Sequence, residues 1–444
     1  MPRKVLISFL GTGPFASKET RTYRTANYRI GETDLGDYPF VAAAIRKYYK
    51  IETVLLIGTP HSMWEEVYRW FSKKEDKIYE DIWMHCEMAN NKSSLEIPHI
   101  KEIEHALGGD SKVVLIKYGI TDEEIQENIN IILGLQEHLQ DGDELIVDIT
   151  HSFRSLPIFL MNLLVYLQDV SPKRIKISHI HYGMLEMLKE PDYEYAPIVD
   201  LKGMMTVQEW ITGVYNFMEF GNAYKLAELL RKDDTGDYEE SAQALEMFSD
   251  IKNLNYLRDF KVKAMNKIRK LTLPQNIPHI GQQIIPDVVQ RFMAKFPQEK
   301  LEPFIFQFRM AEWHREHHNY GYALINLAEA ITTFCCKIVP ADLLTEDTDN
   351  KNRELIRKAL YWSWNDREDT KVKNLHNELK SQITSRKIPS VSFTDFAKQF
   401  CIIQRDRNMI GHDLDKKVTY RNLLNDLEEG YKFFKGLIGS KKYI

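Results

Sequence analysis

Five hydrogen-bonding side chains crowd into six residues at Thr150-His151-Ser152-Phe153-Arg154-Ser155. A mostly apolar, β-branched segment, residues 145–149, precedes them and reads as a buried strand. After them Pro157 opens a long apolar segment, and proline suits the first positions of a helix because its missing N–H costs nothing there. Strand, polar turn and helix start together mark the edge of an α/β sheet where ligands bind. Free N–H groups and the helix dipole favour anions at such a place. The side chains of Thr150, His151, Ser152, Arg154 and Ser155 add donors, so the segment predicts a site for a phosphate-bearing ligand. Asp148, His151 and Ser152 also invite comparison with a hydrolase triad. They lie within five residues of one another and no GxSxG elbow frames the serine, so Asp148 is read as a brace for the turn.

A second set of reactive groups stands at Arg407-Asn408-Met409-Ile410-Gly411-His412. Asn408 and His412 are four apart, hence neighbours on a helix, with Arg407 in reach. Metal-free RNA cleavage needs an acid or base for the 2′-OH or leaving-oxygen proton, and histidine serves near neutral pH. It also needs a fixed cation at the crowded phosphate, and arginine serves there. Asn408 could orient either. The alternative is a helix end whose histidine meets the dipole, and the spacing alone does not choose between the two.

Other clusters carry less. Gly11-Thr12-Gly13-x-x-Ala16 matches the dinucleotide fingerprint after a strand, yet Pro14 follows and residues 20–30 alternate like a β-hairpin where a dehydrogenase needs a helix. A glycine turn that lets a ligand approach the backbone fits better than nicotinamide binding, and a turn with no ligand fits about as well as that. Gly58-Thr59-Pro60-His61-Ser62-Met63-Trp64 lies at another strand end, and Ser62 with Glu65 would make a capping box. His314, His317 and His318 fall near one face of an expected helix, but without HExxH or a visible third ligand they read as a solvated face, and no metal is expected. His179 and His181 project to one side of a strand, where sheet packing is the default.

These groups need elements to hold them. Up to about residue 200 the chain alternates strand-like and helix-like segments, the pattern of a parallel α/β sheet. Strands are expected at 4–10, 53–57, 112–117, 145–149 and 175–181, the last running into Tyr182-Gly183, with an edge strand at 195–199. Helices are expected at 38–49, from Ser62-Met63-Trp64, within 75–108, and at 122–139 capped by Thr121. From Thr206 onward the periodicity is helical, with Trp210, Val214, Phe217 and Met218 as a core face. Helices are expected at 251–273, over 304–338 as one or two, and at 352–364, 393–408 and 419–437. A polar stretch, residues 231–241, and a Pro- and Gly-punctuated connector, residues 274–303, interrupt them.

At 444 residues the chain is too long for one core. Its apolar content of 43% and charged content of 28% fit a globular protein. A net charge of −5 gives no global basic excess, so any nucleic-acid contact must come from a local patch. Cys86, Cys335, Cys336 and Cys401 make neither a zinc pattern nor a CxxC motif and suit a reducing cytoplasm. The apolar run 158–167 contains Asn162 and is short of a membrane span.

Taken together, the N-terminal segments resemble a CRISPR-associated Rossmann-fold (CARF) domain. The matching pieces are Gly11-Thr12-Gly13, Gly58-Thr59 with Ser62-Met63-Trp64, Asp148-Ile149-Thr150-His151-Ser152-Phe153-Arg154-Ser155-Leu156-Pro157, and Pro197-Ile198-Val199-Asp200-Leu201. The C-terminal region resembles HEPN ribonuclease domains, whose signature is Arg-x4-6-His. Arg407, Asn408 and His412 fit it, and Trp313, Tyr322, Ala323 and Glu329 stand where the family has an earlier helix.

The resemblance implies a Rossmann-like α/β CARF domain over 1–204, an all-α connector over 205–300 and a HEPN domain over 301–444; residues 231–300 match nothing by resemblance. It implies an ancillary ribonuclease of type III CRISPR immunity. Cyclic oligoadenylate, of unspecified ring size, would act as activator on Gly11, Thr12, Gly13, Thr59, Ser62, Met63, Trp64, Thr150–Ser155, Tyr182 and Gly183. Single-stranded RNA would be the substrate of Arg407, Asn408 and His412, in a homodimer or a higher even-numbered oligomer, without metal or other cofactor. A two-fold dimer would bring two copies of the 150–155 turn around a ring-shaped anion. Two other readings compete: a non-catalytic nucleotide-sensing regulator whose helical domain binds nucleic acid or protein, and, ranked last, a Rossmann dehydrogenase.

Overall fold

The computed structural model describes residues 2–13, 15–17, 22–151, 156–232, 238–271, 279–294, 301–344, 349–361, 369–385, 392–410 and 419–438. It forms two compact units, Met1–Gln208 and Glu209–Ile444.

The first unit is built on β1 (Lys4–Leu10), β2 (Phe15–Ser17), β3 (Thr22–Tyr23), β4 (Ala26–Ile30), β5 (Thr33–Tyr38), β6 (Thr53–Gly58), β7 (Lys112–Leu115), β8 (Glu144–Asp148), β9 (Lys176–Gly183) and β10 (Ala196–Asp200). Its helices are α1 (Val41–Tyr49), α2 (Trp64–Ser72), α3 (Lys77–Met88), α4 (Ile100–Leu107), α5 (Asp122–Gly134) and α6 (Leu156–Asp169). Eight strands form one sheet in the order β5-β4-β10-β9-β8-β1-β6-β7. The five from β9 to β7 are parallel, with Leu10 opposite Gly58 and Ser8 opposite Asp148. Both faces are covered, which is why β1, β6 and β8 read as nearly unbroken apolar runs. Leu6, Leu10 and Ile146 pack on the side of α1, α2 and α4, whereas Val5, Ile7, Phe9 and Val147 pack with α5 and α6. After β1 the chain builds β6 and β7 on one side, then returns to build β8 and β9 on the other. The reversal opens a crevice beyond the C-terminal ends of these strands.

Two expectations shift here. Residues 195–199 do form a strand, but β10 lies inside the sheet, because the β4–β5 hairpin pairs onto it at Ala196–Tyr28 and Pro197–Arg29. That hairpin turns at Gly31, whose φ is +54°, so it spans 26–38 rather than 20–30. Thr121 caps α5 as read, its Oγ1 accepting from Glu124 N at 3.3 Å.

The division between the units falls within α7 (Gly203–Phe220). The second unit continues with α8 (Tyr224–Arg231), α9 (Glu239–Asn253), α10 (Leu257–Asp259), α11 (Met265–Arg269), α12 (His279–Ala294), α13 (Pro303–Glu316), α14 (Tyr320–Ile338), α15 (Asp349–Tyr361), α16 (Thr370–Ser385), α17 (Phe393–Met409) and α18 (Tyr420–Ile438). Among its described residues there is no strand. The helix expected over 251–273 breaks at Asn255, which takes φ +51° and exchanges amide hydrogen bonds with Asn326. A π turn, Phe260–Ala264, then links α10 to α11. The connector expected over 274–303 contains α12, which accommodates Pro286. Helix α16 goes beyond the expected set, although Val372, Leu375, Leu379 and Ile383 bury at helical spacing. Trp210, Val214 and Phe217 face the core but Met218 is exposed, one residue past the buried stripe.

The histidine trio does not share a solvated face. Helix α13 ends at Glu316, and His318 adopts φ +59° in the turn beyond it. His314 is buried between the rings of Trp313 and Tyr322. Burial and then the charge of Lys252 push its pKa down to about 3.

Helices α17 and α18 approach closely at Gly430, where a Cβ would meet Ile403 Cδ1 at 2.5 Å and Cγ1 at 2.7 Å. Gly430→Val is expected to cost about 1–3 kcal/mol through overpacking. A lower midpoint in urea unfolding with unchanged slope is the expected readout.

Candidate functional site

The crevice of the first unit is shaped by three strand ends. After β1 come Gly11, Thr12 and Gly13; after β6 come Thr59 to Met63. Ser62 ties them together, its hydroxyl donating to Leu10 O at 2.7 Å and accepting from Thr59 N at 3.0 Å. Met63 N donates to Gly11 O at 3.1 Å, and Trp64 Nε1 donates to Thr59 O at 2.8 Å. Ser62 therefore does not cap α2: the capping position is Met63, without a side-chain cap, and Glu65 is buried against the Tyr23 hydroxyl. Spending the serine on the loop is what holds the two glycine turns side by side. Gly13 has φ +59°, and a Cβ there would lie 2.7 Å from Met63 Sδ and 2.8 Å from Tyr23 Cδ1. The chain then enters β2 rather than the helix a dinucleotide fingerprint requires, which removes the support for a dehydrogenase.

The third strand end is braced by Asp148, fully buried. Its Oδ2 accepts from Ser8 Oγ at 2.6 Å, and its Oδ1 accepts from Thr150 N at 3.0 Å and Thr150 Oγ1 at 2.6 Å. Thr150 Oγ1 in turn accepts from Gly183 N at 2.7 Å, which joins the ends of β8 and β9. His151 Nε2 is buried and has no hydrogen-bond partner among the described residues. Burial holds the His151 pKa below the ordinary imidazole value, against the opposing pull of Asp148.

Gly11, Thr12, Gly13, Thr59, Ser62, Thr150 and His151 all line one cavity of about 510 Å³. Its apolar walls include Phe9, Ile116, Leu156 and Leu185, none of which the sequence marks as a site residue. Ile116 carries the one local sign, since it directly follows a strand; its N donates to Gly58 O at 3.0 Å. Met63, Trp64 and Gly183 stand behind this lining as supports. Tyr182 does not line the cavity; its hydroxyl donates to Glu186 at 2.9 Å. Ser152, Phe153, Arg154 and Ser155 lie outside the described residues.

The second unit gathers charge around Glu329 in the middle of α14. Arg357 Nη2 donates to Glu329 Oε1 at 2.7 Å, and Arg353 Nη2 pairs with Oε2. Arg407 Nη2 stands 3.6 Å from the same Oε1, and Arg407 Nη1 donates to Asn408 Oδ1 at 3.3 Å. Arg407 is part-buried and Asn408 exposed near the end of α17; Gly411 and His412 lie outside the described residues. Next to Arg407, burial pushes the Asp406 carboxyl up to about 6 although Arg405 pulls it down. The glutamate turns a flexible arginine into a held cation, the kind of group that stabilises charge on a phosphoryl oxygen. Trp313 and Ala323 are buried in the core, and the Tyr322 hydroxyl donates to Asn253 O at 2.6 Å.

Among the described residues no cluster of three or more His, Cys, Asp or Glu is placed to hold a metal ion, and no helix is long and apolar enough to cross a membrane.

Residues 5–186 match the family model of the CARF domain of CRISPR system endoribonuclease Csx1. Residues 206–300 match the model of the second domain of CRISPR-associated protein MJ1674. The chain is 32% identical over 377 residues to CRISPR-associated protein MJ1674 of Methanocaldococcus jannaschii, covering 81% of this chain and 57% of that protein. It thus spans little more than half the length of that relative. A solved structure of Enterococcus italicus Csm6 bound to cyclic hexa-2′-fluoro-hexa-dAMP aligns with 100% of this chain and 95% of that chain, at 12% identity and a TM-score of 0.39.

Proposed function

We propose that this chain, a CRISPR-associated ancillary protein with a CARF domain at its N-terminus, is a ribonuclease switched on by a cyclic oligoadenylate. The observation that carries the sensing half is the cavity at the C-terminal edge of the sheet, lined by Gly11 to Gly13, Thr59, Ser62, Thr150 and His151. Polar turns at strand ends suit a phosphate-bearing ligand, and residues 1–204 are assigned this role. Residues 205–300 would carry the coupling, which requires the activator to bind the cutting arrangement better than the resting one.

Residues 301–444 are assigned as the HEPN-type nuclease. Arg407, held beside Glu329, would stabilise the phosphorane, and Asn408 would orient it. His412 would carry the proton between the 2′-OH and the leaving 5′-oxygen. The 2′-oxygen forms its bond to phosphorus as the P–O5′ bond breaks. One chain supplies a single Arg407–His412 set, so a two-fold homodimer is part of the reading.

The test is incubation of the full chain with single-stranded RNA in EDTA, with cyclic tri-, tetra- or hexa-adenylate. Cleavage that appears with one ring size is the expected result. Binding of a ring with no cleavage at any size would favour the non-catalytic regulator instead.

A further inference from the structure

We propose that Arg353 and Arg357 of α15 form, together with Arg407, a clamp for two successive phosphates of a single-stranded nucleic acid. This deepens the nuclease reading and rests on it for the identity of the strand.

Three guanidinium groups converge on one carboxylate. Both oxygens of Glu329 are engaged: Oε2 by Arg353, Oε1 by Arg357 at 2.7 Å and by Arg407 at 3.6 Å. Arg353 also donates from Nη1 to Thr333 Oγ1 at 2.7 Å. Glu354, on the same helix, is taken by Lys358 at 2.8 Å. Asp349 stands one turn before Arg353, so among the described residues the cluster keeps one positive charge in excess. Its side chains are sunk rather than splayed into solvent, with relative exposures of 12% for Arg353, 26% for Arg357 and 32% for Arg407. Arg357 Nε is buried with no partner among the described residues.

A purely structural ion pair does not call for this arrangement. One carboxylate needs one arginine, and placing two arginines one turn apart on α15 sets like charges against each other on a helix. Forked guanidinium donors match phosphate oxygens, and three of them gathered on one carboxylate offer enough forks for two successive phosphodiesters. Glu329 then acts as a positioning residue: it holds three repelling cations at fixed spacing until the strand arrives.

The experiment is fluorescence anisotropy of the full chain with a 2′-O-methyl oligonucleotide, which lacks the attacking hydroxyl, across a salt series. Arg353→Gln/Arg357→Gln should weaken binding by roughly tenfold or more at low salt. It should also lower the slope of log affinity against log salt by about 1.4, at about 0.7 for each single-strand phosphate no longer neutralised. Arg353→Lys/Arg357→Lys keeps the charge and should keep the slope, which preserves the test if the glutamine variant misfolds. Glu329→Gln removes the group that spaces the cations and should weaken binding without lowering the salt slope, since all three arginines remain. Unchanged affinity and slope in a folded Arg353→Gln/Arg357→Gln variant would overturn the clamp, as would equally tight, equally arginine-dependent binding of an acidic peptide of the same charge. Oligonucleotide binding that depends on these arginines while RNA stays intact would keep the clamp and sink the nuclease reading. RNA cutting with normal binding by the arginine variants would do the reverse.

Discussion

Arg407→Ala is expected to lower activator-dependent RNA cleavage by at least about a hundredfold, the scale seen when a donor to developing negative charge is removed. Cyclic oligoadenylate binding, measured by calorimetry on the same preparation, is expected to be unchanged. The separation follows from chain position: the cavity belongs to Met1–Gln208 and Arg407 to Glu209–Ile444. The guanidinium is set by Glu329 on one side and Asn408 on the other, so lysine will not replace its forked geometry. His412→Ala should give the same phenotype by removing the proton carrier. Cleavage at the parental rate in either variant would end the nuclease assignment.

Thr150→Val is expected to raise the activator concentration needed for half-maximal cleavage by roughly tenfold to a hundredfold. The methyl replaces a hydroxyl that donates to Asp148 Oδ1 at 2.6 Å and accepts from Gly183 N at 2.7 Å. Its loss orphans the Gly183 N–H and strips one donor from a buried carboxylate, at about 1–3 kcal/mol for an unsatisfied buried group. That strain falls on the loop that lines the cavity, so activator affinity should suffer first. Thr150→Ser keeps the hydroxyl and should restore most of the affinity. If Thr150→Val binds the activator as tightly as the parent, the 150–155 turn is not the sensor.

Much of the first unit is legible in the sequence because parallel strands buried on both faces announce themselves as apolar runs. The Csx1 CARF model match over 5–186 bears out the family resemblance drawn from the strand-end turns. What escapes a sequence reading are features decided by long-range pairing. Nothing local in residues 195–199 reveals that β4 will pair onto β10 and turn it from an edge into an interior strand. Ser62 reads as a helix cap because sequence spacing cannot show that Leu10 O, 52 residues away, accepts a hydrogen bond from its hydroxyl. In the helical unit, Asn255 breaks a helix where it exchanges side-chain amide hydrogen bonds with Asn326, and Pro286 fails to break one. Glu329 stands out by family resemblance, but Arg353 and Arg357 do not, since only the packing of α14 with α15 brings them to it. The cavity's apolar walls likewise come from segments far apart in the chain.

The place of β1 in the sheet also bears on how the chain is made. It is flanked by β6 and β8, and Ser8 must wait for Asp148, 140 residues later. At ribosomal rates of about 5–20 residues per second, that is roughly 7–28 seconds during which the nascent strand has one flank unpaired. The β4–β5 hairpin waits longer still, for β10. The first unit therefore closes its sheet late in its own synthesis, and its earliest strand is the segment on which a ribosome-associated chaperone would be expected to act.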